Sequence, residues 1–121
     1  MTSVTSIVCE QLAQAQLDAY NAHDVDAFAA VYSDDVQLID LASGSMFCIG
    51  VDGLRDLYAR KFAEKPTMHC RLVNRIVCPP FVIDEEDVAG LVDGKSVHAV
   101  ATYECRDGKI CRAWFLHEVL L

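Results

Sequence analysis

Long apolar runs are missing from this 121-residue chain, and none approaches the ~20 residues that span a bilayer. Basic charge is scarce as well. Eighteen acidic side chains stand against ten basic ones, and the net charge of -8 repels phosphate backbones and anionic lipid. Nucleic-acid and membrane-surface roles are therefore excluded. Met1–Ser6 lacks a basic stretch followed by an apolar one, so no signal peptide is expected and the expected location is the cytoplasm. There is no C-x-x-C pair, H-x-H, H-E-x-x-H or carboxylate-rich triad, so neither a metal nor a cofactor is implied. Cys9, Cys48, Cys70, Cys78, Cys105 and Cys111 then read as reduced thiols buried among apolar neighbours. Repeats, linkers and low-complexity stretches are absent too. What is present is 53% hydrophobic and 23% charged residues, the composition of one globular domain over residues 1–121.

The first third has helical periodicity. Val8, Leu12, Ala15 and Ala19, widened by Cys9, Gln16 and Tyr20, predict a helix from Thr5 to about His23. Asp24 is the expected cap of a short second helix carrying Val25, Phe28, Ala29 and Tyr32, which Ser33-Asp34-Asp35 ends. Alternation predicts strands over Val36–Leu41 and Met46–Ile49. A third helix follows with Leu54, Leu57, Tyr58, Lys61 and Phe62 inward, and Pro66 stops it. The remaining half reads as four β-runs over Met68–Cys78, Phe81–Leu91, Lys95–Arg106 and Lys109–Val119. Asp93-Gly94 and Asp107-Gly108 are tight-turn dipeptides. A two-residue turn at Asp107-Gly108 sets Arg106 opposite Lys109 and Cys105 opposite Ile110. Helices before a long meander predict an α+β domain, a strongly curved antiparallel sheet with three helices forming a cone-like pocket.

Four segments carry a resemblance: Tyr20-Asn21-Ala22-His23-Asp24-Val25-Asp26-Ala27-Phe28, Val31-Tyr32-Ser33-Asp34-Asp35-Val36, Gly50-Val51-Asp52-Gly53-Leu54-Arg55-Asp56-Leu57-Tyr58 and Tyr103-Glu104-Cys105-Arg106-Asp107-Gly108-Lys109-Ile110. In this order of elements the chain resembles the nuclear transport factor 2-like superfold, in particular its SnoaL-like and ketosteroid-isomerase-like branch. The resemblance implies that Asp40 occupies the general-base position on the first strand. It places Tyr32 and Tyr58 in the supporting tyrosine network. It also implies that both principal oxyanion donors are replaced, by Gln16 on the first helix and by Thr102 late in the chain, with His117 at a late aromatic position.

The residues themselves leave alternatives. Asp40 shares a strand face with Val36 and Leu38, where a lone carboxylate is costly unless paired or used; the other reading is a strand-end cap on the following turn. Burial would raise its pKa and a nearby cation would lower it. Gln16 is either on the apolar side of its helix or exposed, and Tyr32 and Tyr58 are core residues or cavity walls. His98 and His117 are pocket acid/base candidates or solvent-facing, and His23 and His69 read as solvated. Asp84-Glu85-Glu86-Asp87 alternates between two faces. It reads as a solvated hairpin segment paired with Arg71, Asn74 and Arg75, with an acidic pocket wall as the minor alternative. Of Trp114 and Phe115, one faces the cavity or helices and the other a subunit interface.

Two functions follow as expectations. One is a cofactor-independent isomerase or lyase acting on a small apolar carbonyl compound, with Asp40 as general base and Gln16, Tyr32 or Tyr58 holding the oxyanion. The other is a non-catalytic small-ligand-binding or dimerisation module. Both expect a homodimer formed through the outer sheet face.

Overall fold

Asp24 begins the short second helix as the sequence predicts, its carboxylate accepting from the Ala27 N–H at 3.1 Å. In the computed structural model, which describes residues 4–118, that helix is α2 (Val25–Ala30). It follows α1 (Val4–Ala22) and precedes β1 (Tyr32–Asp40), β2 (Met46–Ile49), α3 (Val51–Glu64), β3 (His69–Cys78), β4 (Phe81–Val92), β5 (Lys95–Arg106) and β6 (Lys109–His117). The expected last residue of the final strand, Val119, lies outside the described residues.

The strands form one sheet in the order β2-β1-β6-β5-β4-β3. β3 to β6 are the expected antiparallel meander, and Arg106 faces Lys109 and Cys105 faces Ile110 across the Asp107-Gly108 turn. The sheet is mixed rather than wholly antiparallel, because β1 and β6 run parallel. That pairing also moves Tyr32. Periodicity predicts it on the second helix, yet the Ile110 N–H donates to the Val31 carbonyl at 2.9 Å and Tyr32 pairs with Ile110. Once β6 offers an open edge, ladder bonds outweigh another helical residue.

Helices cover one sheet face. On α1 the inward stripe is Cys9, Ala13, Gln16, Leu17 and Tyr20, while Ala15 points to solvent. Asn21 docks the end of α1 on β3 by exchanging two bonds with the Cys70 backbone, at 2.9 and 2.7 Å. His23 is not solvated: its ring stacks on Phe62 at 5.1 Å and its Nε2 lies 2.8 Å from the Met68 carbonyl oxygen. All six cysteines are free thiols, and Cys78 is exposed rather than buried. No helix among the described residues is long and apolar enough to cross a membrane.

The β4 register breaks between Ala89 and Val92, where Gly90 adopts φ +81°. This bulge bends the strand where the Thr67–Met68 backbone packs on it and helps the sheet curve around its concave side. A Cβ on Gly90 would lie 2.6 Å from the Thr67 carbonyl oxygen and 2.7 Å from the Met68 backbone. Gly90→Ala is therefore expected to destabilise the fold by about 2 kcal/mol or more. Urea denaturation should show a lower midpoint at an unchanged slope.

Candidate functional site

Strand alternation decides which part of the acidic run turns inward. On β4 the residues Val82, Asp84, Glu86 and Val88 are buried in succession, and Glu85 and Asp87 face out. The expectation of a wholly solvated segment is corrected here: two of the four carboxyl groups lie under the helices. The outer two are paired as expected of an exposed strand face, Asp87 with Arg71 and Glu85 with His98.

Asp84 has no solvent exposure, and Arg75 on the neighbouring strand grips it with two bonds, Nε to Oδ1 at 2.7 Å and Nη2 to Oδ2 at 2.9 Å. Arg75 is steadied in turn by donating to the Gln14 side chain at 2.9 Å. Glu86 has no such partner. It is 8% exposed and lines a cavity of about 880 Å³ enclosed by α1, α3 and the concave sheet face. Burial pushes its pKa up to about 7; the Asp84 charge adds to that rise, while the Cys70 thiol and Arg75 work against it.

Every tyrosine of the chain lies within electrostatic reach of Glu86. Tyr20, Tyr32, Tyr58 and Tyr103 all have phenol pKa values held well above the ordinary range, first by burial and then in part by the Glu86 charge. All four remain protonated donors at neutral pH. Tyr103 donates to the Gln16 side-chain oxygen at 3.0 Å, and Tyr20 to the Met68 sulfur at 2.9 Å. The Tyr32 hydroxyl is buried near the Gln16 amide, yet no hydrogen bond satisfies it among the described residues. An unmade bond on a buried hydroxyl is costly, and this one is closed off from the cavity by the side chains in front of it.

The residues singled out from sequence separate into three positions. Gln16 and Tyr58 line the cavity wall, and Tyr32 sits behind them. Asp40 and His117 line the exposed mouth. Asp40 accepts the Ser43 hydroxyl at 2.6 Å and the Ser43 N–H at 3.3 Å, capping the turn after β1. These bonds hold its pKa below the usual carboxylate value, with a smaller contribution from the His117 charge. His98 and Thr102 point away from the cavity, because the inward residues of β5 are Val97, Ala101, Tyr103 and Cys105. The His98 ring instead meets Glu85 at 2.7 Å, which raises its pKa. Phe115 lines the cavity, and Trp114 lies on the other face against Phe81 and Arg112.

The signal for Glu86 was in the sequence: a period of two across four acids, with an arginine on the adjoining strand for only one inward member. Among the described residues no group of three or more His, Cys, Asp or Glu is placed to hold a metal ion. The site can bind a molecule by apolar contact, offer it phenol donors, and exchange a proton through a carboxyl group poised near neutrality.

A family model described as a SnoaL-like domain matches residues 13–113. No curated protein matches the sequence. Among solved structures, the chain is similar to an uncharacterised cystatin-fold protein from Novosphingobium aromaticivorans. The identity is 28% and the TM-score 0.80, over 88% of this chain and 95% of that one. It is also similar to an NTF2-like protein of unknown function from Burkholderia xenovorans, with 19% identity and TM-score 0.81 over 98% and 89% of the two chains. A third similar structure is a protein with a ketosteroid isomerase-like fold from Catenulispora acidiphila, in complex with trimethylamine. It shares 17% identity and a TM-score of 0.75 over 88% and 84%.

The raised pKa of Glu86 has a stability consequence. An ordinary glutamate titrates near 4.5, so between about 4.5 and 7 the native state binds more protons than the unfolded chain. Stability then falls as pH rises through that window and stays reduced above it. Glu86→Gln is expected to be more stable than the parent at pH 8, by on the order of 2–3 kcal/mol, with the difference shrinking toward pH 5. Urea denaturation of both proteins at the two pH values checks this.

Proposed function

Because the chain belongs to the SnoaL-like domain family, we propose that it is an isomerase or lyase acting, without a cofactor, on a small apolar carbonyl compound, with Glu86 as its general base. The observation that carries this reading is the carboxyl group of Glu86, buried in the cavity without an ion-pair partner and with a pKa of about 7. The Glu86 carboxylate removes a proton from the carbon next to the carbonyl. The electron pair of that C–H bond moves to the carbonyl oxygen, and the resulting enolate accepts a hydrogen bond from Tyr58, which lines the cavity. Returning the proton to a different carbon completes an isomerisation; loss of a leaving group from the neighbouring carbon completes an elimination.

Asp40, at the family's base position, is the weaker candidate. Its carboxylate is committed to Ser43, and its lowered pKa reduces its basicity. The outer sheet face supports the homodimer reading, since Ile76, Phe81, Ile83 and Trp114 lie there away from the helices. Light scattering should give about 27 kDa, twice the 13.4 kDa of the chain.

Exchange of deuterium from solvent into the carbon beside the carbonyl, followed by NMR on cyclohexenones and a steroid ketone, tests the chemistry before a substrate is known. Glu86→Gln is expected to lower the exchange rate by roughly 10²–10⁴-fold. Asp40→Asn should leave most of it, and the rate should rise with pH through an inflection near 7. Loss of exchange in Asp40→Asn, with Glu86→Gln unaffected, would return the role to the strand-end carboxylate. A chain that binds these ketones without exchanging them is a binding module.

A further inference from the structure

The basic residues of this acidic chain are unevenly employed. Arg55, Arg71, Arg75 and Arg112 each hold a carboxylate, and Lys109 donates to the Ala30 carbonyl. Among the described residues the other five, Arg60, Lys61, Lys65, Lys95 and Arg106, make no ion pair. Three of those five, Arg60, Lys61 and Lys65, line the mouth of the cavity from the last turns of α3. Lys61 is the most deeply placed. It is half-buried, and its ammonium lies 5.3 Å from the centre of the Tyr58 ring that forms the cavity wall. Burial holds its pKa below the usual lysine value. An ammonium held over an aromatic wall without a counter-ion costs solvation that a bound anion would recover.

Carboxylates also line this mouth, but two are already engaged. Asp40 accepts from Ser43, and Glu118 accepts the His98 N–H at 3.1 Å. Glu64 is the third, so three acidic and three basic side chains balance at the opening, and Lys61 is singled out by its place over the Tyr58 ring with no ion pair of its own among the described residues. Deeper in, the walls are apolar and aromatic, and a negatively charged group there would meet Glu86. An anionic head therefore belongs at the mouth and an apolar body inside.

We propose that the cavity takes an amphipathic carboxylic acid, its carboxylate held by Lys61 with Arg60 and Lys65 beside it and its apolar body directed toward Glu86. This deepens the reading of the cavity as a small-molecule site.

Isothermal titration calorimetry at pH 6 with octanoate and 1-octanol tests it, the two probes sharing a tail and differing in head charge. Octanoate is expected to bind about tenfold tighter than octanol or better. Lys61→Gln, a helix-compatible change near the surface, should remove that preference while leaving octanol affinity unchanged, and Lys61→Arg should retain it. Glu86→Gln should leave the preference in place. Equal affinities, no binding of either probe, or a preference that survives Lys61→Gln combined with Arg60→Gln and Lys65→Gln overturns the proposal. So does a gain in octanoate affinity on Glu86→Gln alone, which would put the head on the cavity floor. These readouts are independent of turnover. Proton exchange on neutral ketones with no preference for octanoate sinks this inference alone, and octanoate binding without exchange sinks only the catalytic reading.

Discussion

The bidentate bond between Arg75 and Asp84 is the contact on which the cavity depends. Asp84 and Glu86 are two residues apart on β4, so the pleat turns both carboxyl groups under the helices. Two ionised carboxylates in that position would be hard to bury together. Arg75, one strand away and in register with Asp84, meets the first with two hydrogen bonds and leaves the second alone. Asp84 is thereby a charge with its counter-ion, and Glu86 is a carboxyl group whose proton is held by the surroundings. The same pair feels both sides of the fold, since Arg75 also ties to Gln14 on α1.

Around Glu86 the tyrosines serve two purposes at once. Their rings fill the space between α1, α2, α3 and the sheet, with Tyr20, Tyr58, Phe28 and Phe62 in mutual edge and tilted contacts. Their hydroxyls supply the polar atoms that a cavity floor needs, and burial keeps them protonated. Tyr103 spends its proton on Gln16, which in turn orients the Gln16 amide beside Tyr32. The Tyr32 hydroxyl stays behind the cavity wall, while the Glu86 carboxyl, bonded to the Cys70 thiol and without a cation of its own, lines the cavity.

A comparison of Asp40 with Glu86 separates position from environment. Asp40 is the base that the sequence resemblance implies, yet Ser43 follows it in a turn that returns within hydrogen-bond reach. Local chain geometry therefore stabilises its charged form. Glu86 has no such local partner and lies far from either end of its strand, where the sheet and helices exclude water. Proton affinity near neutrality comes from that exclusion.

The order of elements, the starts of the last four strands to within one residue and the register at Asp107-Gly108 were determined by the sequence alone, because turn dipeptides and a period of two act over neighbouring residues. The resemblance in four local segments likewise pointed to the family. Longer-range pairing decided the rest. Tyr32 left the second helix because β6, almost 80 residues later, supplied a parallel edge. His98 and Thr102 turned outward because Tyr103 and its alternate neighbours took the inner face of β5. Glu86 became the buried carboxyl group without an ion pair because Arg75 reached Asp84 and no further. Which of several acids loses its water depends on which strand and helix are laid over it, and only the tertiary structure sets that.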